Sequence, residues 1–316
     1  MRVLVTGASG YIGSRLIPSL LEAGHDVVAA GRRPESLTDF AWGPDVDTVA
    51  FDVGDEQSVR EAITDVDAVV YLVHSMEGGE QFVERDRQAA QATAKACEEH
   101  GVERIVYLSG LVPSGQLSDH LRSRLEVESI FLDCSVPATV LRAAMVIGAG
   151  STSFELMRRM SERVPLVPVP SWMLRKLQPV AVEDVVEALT AALEGDPRNR
   201  HYDLGGEEVI SYRDLLALYA DVAGLRRPQV VVPFVPHRVV SEIVAAVAQI
   251  PRGTVNALVE SLSKDMVCSE AAIRHDLLPD HEFVPLRTAI ERSLQGPSAA
   301  TSISGDVQGE AATDSL

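Results

Sequence analysis

The chain has 316 residues, 46% hydrophobic and 23% charged, which is ample to bury a sizeable core and excludes a wholly disordered protein. Its 28 Lys and Arg against 46 Asp and Glu give a net charge of −18. A surface that acidic repels phosphate backbones and anionic lipid, so nucleic acid and membrane surfaces are poor default partners.

The sequence opens on a strand-like run at 3–6, and no basic-then-apolar leader is expected. Residues 12–23 have helical spacing and stop at Gly24; 25–30 is the next strand, and Phe51, Asp52 and Val53 form a third after a connection containing Pro and Gly. A helix is expected at 58–63, a fully apolar strand at 68–73 and a long Ala-rich helix at 81–100, closed by Gly101. Strands at 104–108 and 138–141 follow, with a helix near 121–132 between them. Continuous apolar strands alternating with helices imply a parallel sheet covered on both faces, hence a doubly wound α/β fold.

The second half reads differently. Residues 151–179 contain Pro165, Pro168, Pro170 and Pro179 around Trp172 and Met173, which no single long helix accommodates. A helix at 182–193 and a strand at 201–204 come next. Ser211, with Asp214 three residues on, opens another helix, which Gly224 ends. A strand at 230–232 and helices at 238–248 and 254–262 complete the pattern. The longest apolar stretch, 230–250, is broken by Pro233, Pro236, His237, Arg238 and Glu242 and falls short of the roughly 20 apolar residues a membrane span needs. A cytoplasmic protein is expected. Cys97, Cys134 and Cys268 are far apart, with no Cys-x-x-Cys or Cys/His spacing, so neither a disulfide framework nor a metal site is indicated.

The first strand runs into Gly7-Ala8-Ser9-Gly10-Tyr11-Ile12-Gly13, which opens the first helix. Gly7 permits a tight turn, Gly10 lets the backbone approach a pyrophosphate, and Gly13 lets the helix pack close to the strand. The helix N-terminus then offers N–H groups and a positive dipole end to phosphate. This turn predicts dinucleotide binding through Gly7, Ser9, Gly10, Tyr11, Ile12 and Gly13. The second strand ends without a carboxylate, and Arg32 and Arg33 follow it. Two guanidiniums suit a 2′-phosphate, which favours NADP over NAD, with NAD also possible. Asp52 and Val53 are placed to meet the adenine. His74 and Ser75, at the end of the fourth strand, are expected to border the nicotinamide ribose. Met145 and Val146 could pack on the nicotinamide, and the segment 165–172 could form a substrate wall.

These residues resemble the short-chain dehydrogenase/reductase superfamily, in its extended and atypical branches that include NmrA-like proteins. The resemblance rests on the N-terminal Val-Thr-Gly-Ala-Ser-Gly-Tyr-Ile-Gly, on Asp52-Val53, and on Tyr71-Leu72-Val73-His74-Ser75-Met76. It continues through 102–109, Leu141-Arg142-Ala143, 178–185, and 202–206 followed by 211–215, and covers 1–225. It implies a Rossmann domain over 1–150, to which 178–204 returns. A smaller, non-contiguous C-terminal α/β lobe would comprise 151–177 and 205–296, and the Ser/Ala/Gly/Thr-rich tail 297–316 is expected to be disordered. Active members of the superfamily use a Ser, a Tyr and a Lys. Ser109 matches the Ser, His120 falls at the Tyr position and Arg124 at the Lys position. Positions 120 and 124 lie one helical turn apart on one face. His120 could titrate near neutrality, but a fixed cation beside it would depress its pKa and weaken it as a proton donor.

The leading expectation is an NADP(H)-binding atypical oxidoreductase that passes hydride to a small, fairly apolar organic acceptor. An acceptor such as a quinone or enone would need less from a Tyr-like acid. The alternatives are a non-catalytic NmrA-like dinucleotide sensor and a sugar-nucleotide epimerase or dehydratase. No Ser-His-Asp set with an elbow motif appears, so hydrolysis is unsupported.

Overall fold

A computed structural model of the protein describes residues 1–74, 80–115, 117–232, 235–249 and 251–295. The expected tail at 297–316 and Ser75 therefore lie outside the described residues. Seven parallel strands form the main sheet: β1 (Arg2–Thr6), β2 (Asp26–Gly31), β3 (Asp47–Ala50), β4 (Ala68–Tyr71), β5 (Arg104–Gly110), β6 (Ala138–Ala143) and, after four short strands, β11 (Arg200–Leu204). Their order is β11-β6-β5-β4-β1-β2-β3. The order reverses between β1 and β4, and in open α/β sheets the crevice at such a reversal, beyond the strands' carboxyl ends, is where ligands bind.

The central strands form because their side chains are apolar on both faces and both faces are covered. Val3, Leu4 and Val5 of β1 and Ala68, Val69 and Val70 of β4 are fully buried. On one face α1 (Gly13–Glu22) and α6 (Val182–Glu194) close a core with Leu16, Ile17, Leu20, Val185 and Leu189. On the other, α2 (Glu56–Ala62), α3 (Glu80–His100) and α4 (Asp119–Asp133), which contributes Phe131, cover Leu4, Tyr71 and Tyr107. The three rings of Tyr71, Tyr107 and Phe131 meet edge to face, with centroids 5.0–5.9 Å apart.

Most element ends shift by one or two residues, and the third strand differs most from expectation. The third strand ends at Ala50, and Asp52 and Val53 lie past it. Asp52 Oδ1 accepts from the Gly54 amide at 2.9 Å, a local turn that ends the extended run.

The remaining elements build the smaller part of the chain. After β7 (Val146–Ile147) come α5 (Thr152–Arg163), β8 (Val167–Pro170), β9 (Lys176–Leu177) and β10 (Val180–Ala181). Beyond β11 lie β12 (Ile210–Ser211), α7 (Tyr212–Val222), β13 (Gln229–Val232), α8 (His237–Ala248), α9 (Arg252–Ser261), α10 (Ile273–Asp276) and α11 (Leu286–Leu294). β8 pairs in parallel with β13, so the proline-rich segment is an edge pair rather than a helix. Ser211 caps α7 as its spacing suggested: its Oγ accepts from the Asp214 amide at 3.1 Å. Asp184, fully buried in the first turn of α6, accepts from His281 Nε2 at 2.8 Å and from the Val284 amide, and so ties the C-terminal segment to the Rossmann layer.

Candidate functional site

The glycine turn sits at the reversal point. Gly7 has φ +66°, the left-handed region, and a Cβ there would meet the Leu72 backbone at the end of β4 at 3.6 Å. At Gly13 a Cβ would stand 2.4 Å from the Gly7 carbonyl and 2.9 Å from Ala8 Cα, a clash with backbone that cannot be relieved by a side-chain move. Gly13 therefore sets how closely α1 approaches the turn. Gly10 donates its amide to the Gly7 carbonyl at 2.9 Å and accepts from Ser14 at 3.0 Å. Among the described residues, no main-chain carbonyl takes the Ile12 amide at the helix entrance.

Tyr11 points elsewhere than the turn's mouth. Its hydroxyl packs on Gly148, where a Cβ would clash with it, and the Arg15 guanidinium lies over its ring at 4.1 Å. Arg15 also bonds the Tyr11 and Ala149 carbonyls, both at 3.0 Å. Tyr11 thus pins the turn to the segment after β7. Thr6, buried at the end of β1, accepts from the Leu72 amide at 3.1 Å and fixes the spacing of the two strand ends.

Around this turn the strand ends present the other expected residues. Arg32 and Arg33 are exposed just past β2, and among the described residues neither has a salt-bridge partner. Asp52 keeps one oxygen on Gly54, while Val53 packs against the core. Past β4, the His74 ring lies 6.1 Å from the ring of His120. Trp172, in the expected substrate-wall segment, is 8% exposed, packs among Leu156, Ala245, Ala248, Val255 and Val259, and donates to the Val235 carbonyl at 3.0 Å. Met145 packs against the cluster that holds Phe154, Met157, Leu215 and Ile290.

His120 and Arg124 come together as their spacing requires. Arg124 Nε–H donates to His120 Nε2 at 3.3 Å, which leaves Nδ1 as the imidazole's N–H. Burial, then the Arg124 charge, pushes the His120 pKa down to about 3. His74 is held well below the usual histidine range by burial, then by Arg124 and His120, with a bond to the Leu72 backbone opposing the shift. Both imidazoles are neutral at physiological pH, and Arg124 is the fixed cation of the group.

Ser109 is 1% exposed on the sheet face that carries Tyr107, and among the described residues no hydrogen bond joins it to His120 or Arg124. Its neighbours across the sheet are Arg142 on β6 and, next to that, Asp203 on β11. Arg142 grips Glu128 of α4 with two bonds, at 3.0 and 2.6 Å. Asp203 accepts from the amide and hydroxyl of Ser269, both at 2.7 Å. Glu128 lies one turn beyond Arg124, and Ser123 donates to Asp86 of α3 at 2.9 Å. These buried contacts fix the rotation of α4, and with it the direction of His120 and Arg124.

Among the described residues no group of three or more His, Cys, Asp or Glu is arranged to hold a metal ion, and no helix is long and apolar enough to cross a membrane.

Comparison with known proteins agrees with this layout. A family of NAD(P)H-binding proteins matches residues 7–130. The mitochondrial NADH dehydrogenase [ubiquinone] 1 alpha subcomplex subunit 9 of Arabidopsis thaliana is 27% identical over 232 residues, 69% of this chain and 57% of that protein. The chain thus spans little more than half of that relative's length. Triphenylmethane reductase from Citrobacter sp. shares the fold with a TM-score of 0.75 at 18% identity, over 93% of this chain and 100% of its own. UDP-glucuronic acid 4-epimerase from Bacillus cereus, solved with UDP-glucuronic acid and NAD, has a TM-score of 0.70 at 18% identity, over 93% and 98%.

Proposed function

We propose, from the premise that the chain carries an NAD(P)-binding Rossmann domain on a fold of the extended short-chain dehydrogenase/reductase type, that it is an NADP(H)-dependent oxidoreductase passing hydride to a small, fairly apolar organic acceptor. The residues fit the dinucleotide: at Gly13 a Cβ would fill the space the turn needs, and the helix entrance offers the Ile12 amide. Gly7 to Gly13 would hold the diphosphate, Arg32 and Arg33 the 2′-phosphate, Asp52 and Val53 the adenine end, and His74 with Ser75 the nicotinamide ribose. When bound, the cofactor supplies the hydride, two electrons and one hydrogen.

The observation that carries this reading is the 3.3 Å contact between Arg124 and a neutral His120. An imidazole with a pKa of about 3 has no proton to give at neutral pH, but its Nδ1–H can donate a hydrogen bond. Arg124 can stabilise negative charge that develops on an acceptor oxygen. A quinone or enone suits that equipment: it takes up the hydride as an oxyanion, held by Arg124 and His120, and then collects its proton from solvent. An unactivated ketone needs an acid in the transition state, and here none is supplied.

The same neutral imidazoles favour a second reading, a non-catalytic dinucleotide sensor. Following NADPH absorbance against a panel of quinones, enones, aldehydes and ketones separates the two. Oxidation by a quinone or enone, slowed about tenfold or more in Arg124→Met at unchanged NADPH affinity, supports the oxidoreductase. No oxidation by any acceptor supports the sensor.

A further inference from the structure

The acidity of the chain is not evenly spread. Segments 152–181 and 222–261, with α5 and α9 counted whole, together hold nine Arg and Lys and four acidic residues, Glu155, Glu162, Glu242 and Glu260. The remainder holds 19 basic and 42 acidic residues. One part of a strongly anionic protein is thus net cationic. The structure brings these two segments together. β8 pairs with β13, α5 packs on α8, and α8 packs on α9. Arg159 of α5 donates to the Ala248 carbonyl at 3.0 Å, and Arg163 to that of Val247.

The same region carries most of the large exposed apolar side chains among the described residues. Of seven large hydrophobic residues that stand exposed among the described residues, six lie here: Leu166, Leu174, Val230, Val231, Val239 and Ile243, at 42–56% exposure. Among the described residues β13 is paired on one edge only, with β8, so Val230 and Val231, on its two sides, both flank its open edge. Apolar side chains interleaved with arginines are the surface chemistry of a protein that lies on a bilayer, where burial of apolar groups and attraction to anionic headgroups act together.

We propose that this face of the smaller lobe, formed by β8, β13 and α8, docks on an anionic lipid membrane surface. Net charge alone argues against such a partner, but the Debye length in cells is about 8 Å, so a bilayer responds to the cationic face presented to it and far less to the acidic body behind. A second copy of the chain is a poorer occupant. A two-fold contact would set the cationic face against itself. Seated on the bilayer, the protein would meet an apolar acceptor where such molecules concentrate, but the docking stands independently of any cofactor.

The test is co-sedimentation of the full chain with vesicles of phosphatidylcholine alone and of phosphatidylcholine mixed with phosphatidylglycerol. The expected result is binding to the mixed vesicles only, lost as ionic strength rises from about 0.1 to 1 M. Arg175 and Arg226 are exposed, and among the described residues neither holds a carboxylate closer than the 4.0 Å between Arg175 and Asp265. Arg175→Glu and Arg226→Glu should each weaken binding about fivefold or more. Ile243→Asp should weaken it about tenfold. All three should melt as the wild type does, which keeps the lipid result apart from folding. No binding to mixed vesicles overturns the proposal, as does binding that all three substitutions leave unchanged. A wild-type dimer in solution that Ile243→Asp dissociates, without any vesicle binding, also overturns it and assigns the face to a second copy.

Discussion

Mild acid should destabilise the protein through His120. The unfolded chain carries this histidine with an ordinary pKa of 6.5, and the folded protein holds it at about 3 because burial and the Arg124 guanidinium disfavour the imidazolium. As pH falls, the unfolded state takes up the proton first. The stability contribution of this group is therefore complete above pH 6.5 and is lost progressively toward pH 3. Between pH 7 and pH 5 that loss is about 2 kcal/mol from His120 alone. His120→Phe removes the group and leaves every carboxylate in place. Urea unfolding followed by far-UV circular dichroism at pH 7, 6 and 5 measures both proteins. The fall in unfolding free energy from pH 7 to pH 5 should be smaller in the variant by about 2 kcal/mol, whatever its stability at pH 7. Parallel profiles, differing by less than about 0.5 kcal/mol, would refute the placement of a neutral His120 against Arg124.

Gly13→Ala sets a methyl group 2.4 Å from the Gly7 carbonyl. It should displace α1 from the turn and weaken NADPH binding about tenfold or more by calorimetry; unchanged affinity would mean that the turn does not hold the diphosphate. Replacing Arg32 and Arg33 together by Ala should cost NADPH about ten- to hundredfold in affinity and leave NADH unchanged, while equal losses for both nucleotides would argue against a 2′-phosphate contact. Asp184→Ala removes the acceptor for His281 and the Val284 amide. It should lower stability by about 3 kcal/mol and speed amide exchange across Leu286–Leu294, and an unchanged urea midpoint would show that this buried carboxylate does not staple the C-terminal segment.

The central strands were legible because burial on both faces writes itself as a continuous apolar run. Val3 to Val5, Ala68 to Val70 and Ile105 to Tyr107 are all buried in the sheet. The edge strand was not, since Asp47–Ala50 has only partly buried or exposed positions and no such run, and Phe51 beside it drew the expected strand onto a turn. The glycine turn could be read from spacing alone, and so could the shared face of His120 and Arg124, four residues apart. What spacing could not show was the approach of His74 to His120, from separate elements 46 positions apart. Nor could it show the Glu128–Arg142–Asp203 contacts, whose partners sit on α4, β6 and β11. Arg142 reads locally as one charge at a strand end; only the parallel register sets it between Ser109 and Asp203. One net charge for the chain likewise does not show how basic residues are distributed, and the pairing of β8 with β13 brings two basic-rich segments together.

Calorimetric titration of the purified protein with NADPH and with NADH tests the account most directly. The geometry at the end of β1 and past β2 predicts one nucleotide per chain, with NADPH bound at least about tenfold more tightly than NADH. Absence of heat and of thermal stabilisation with either nucleotide would contradict it.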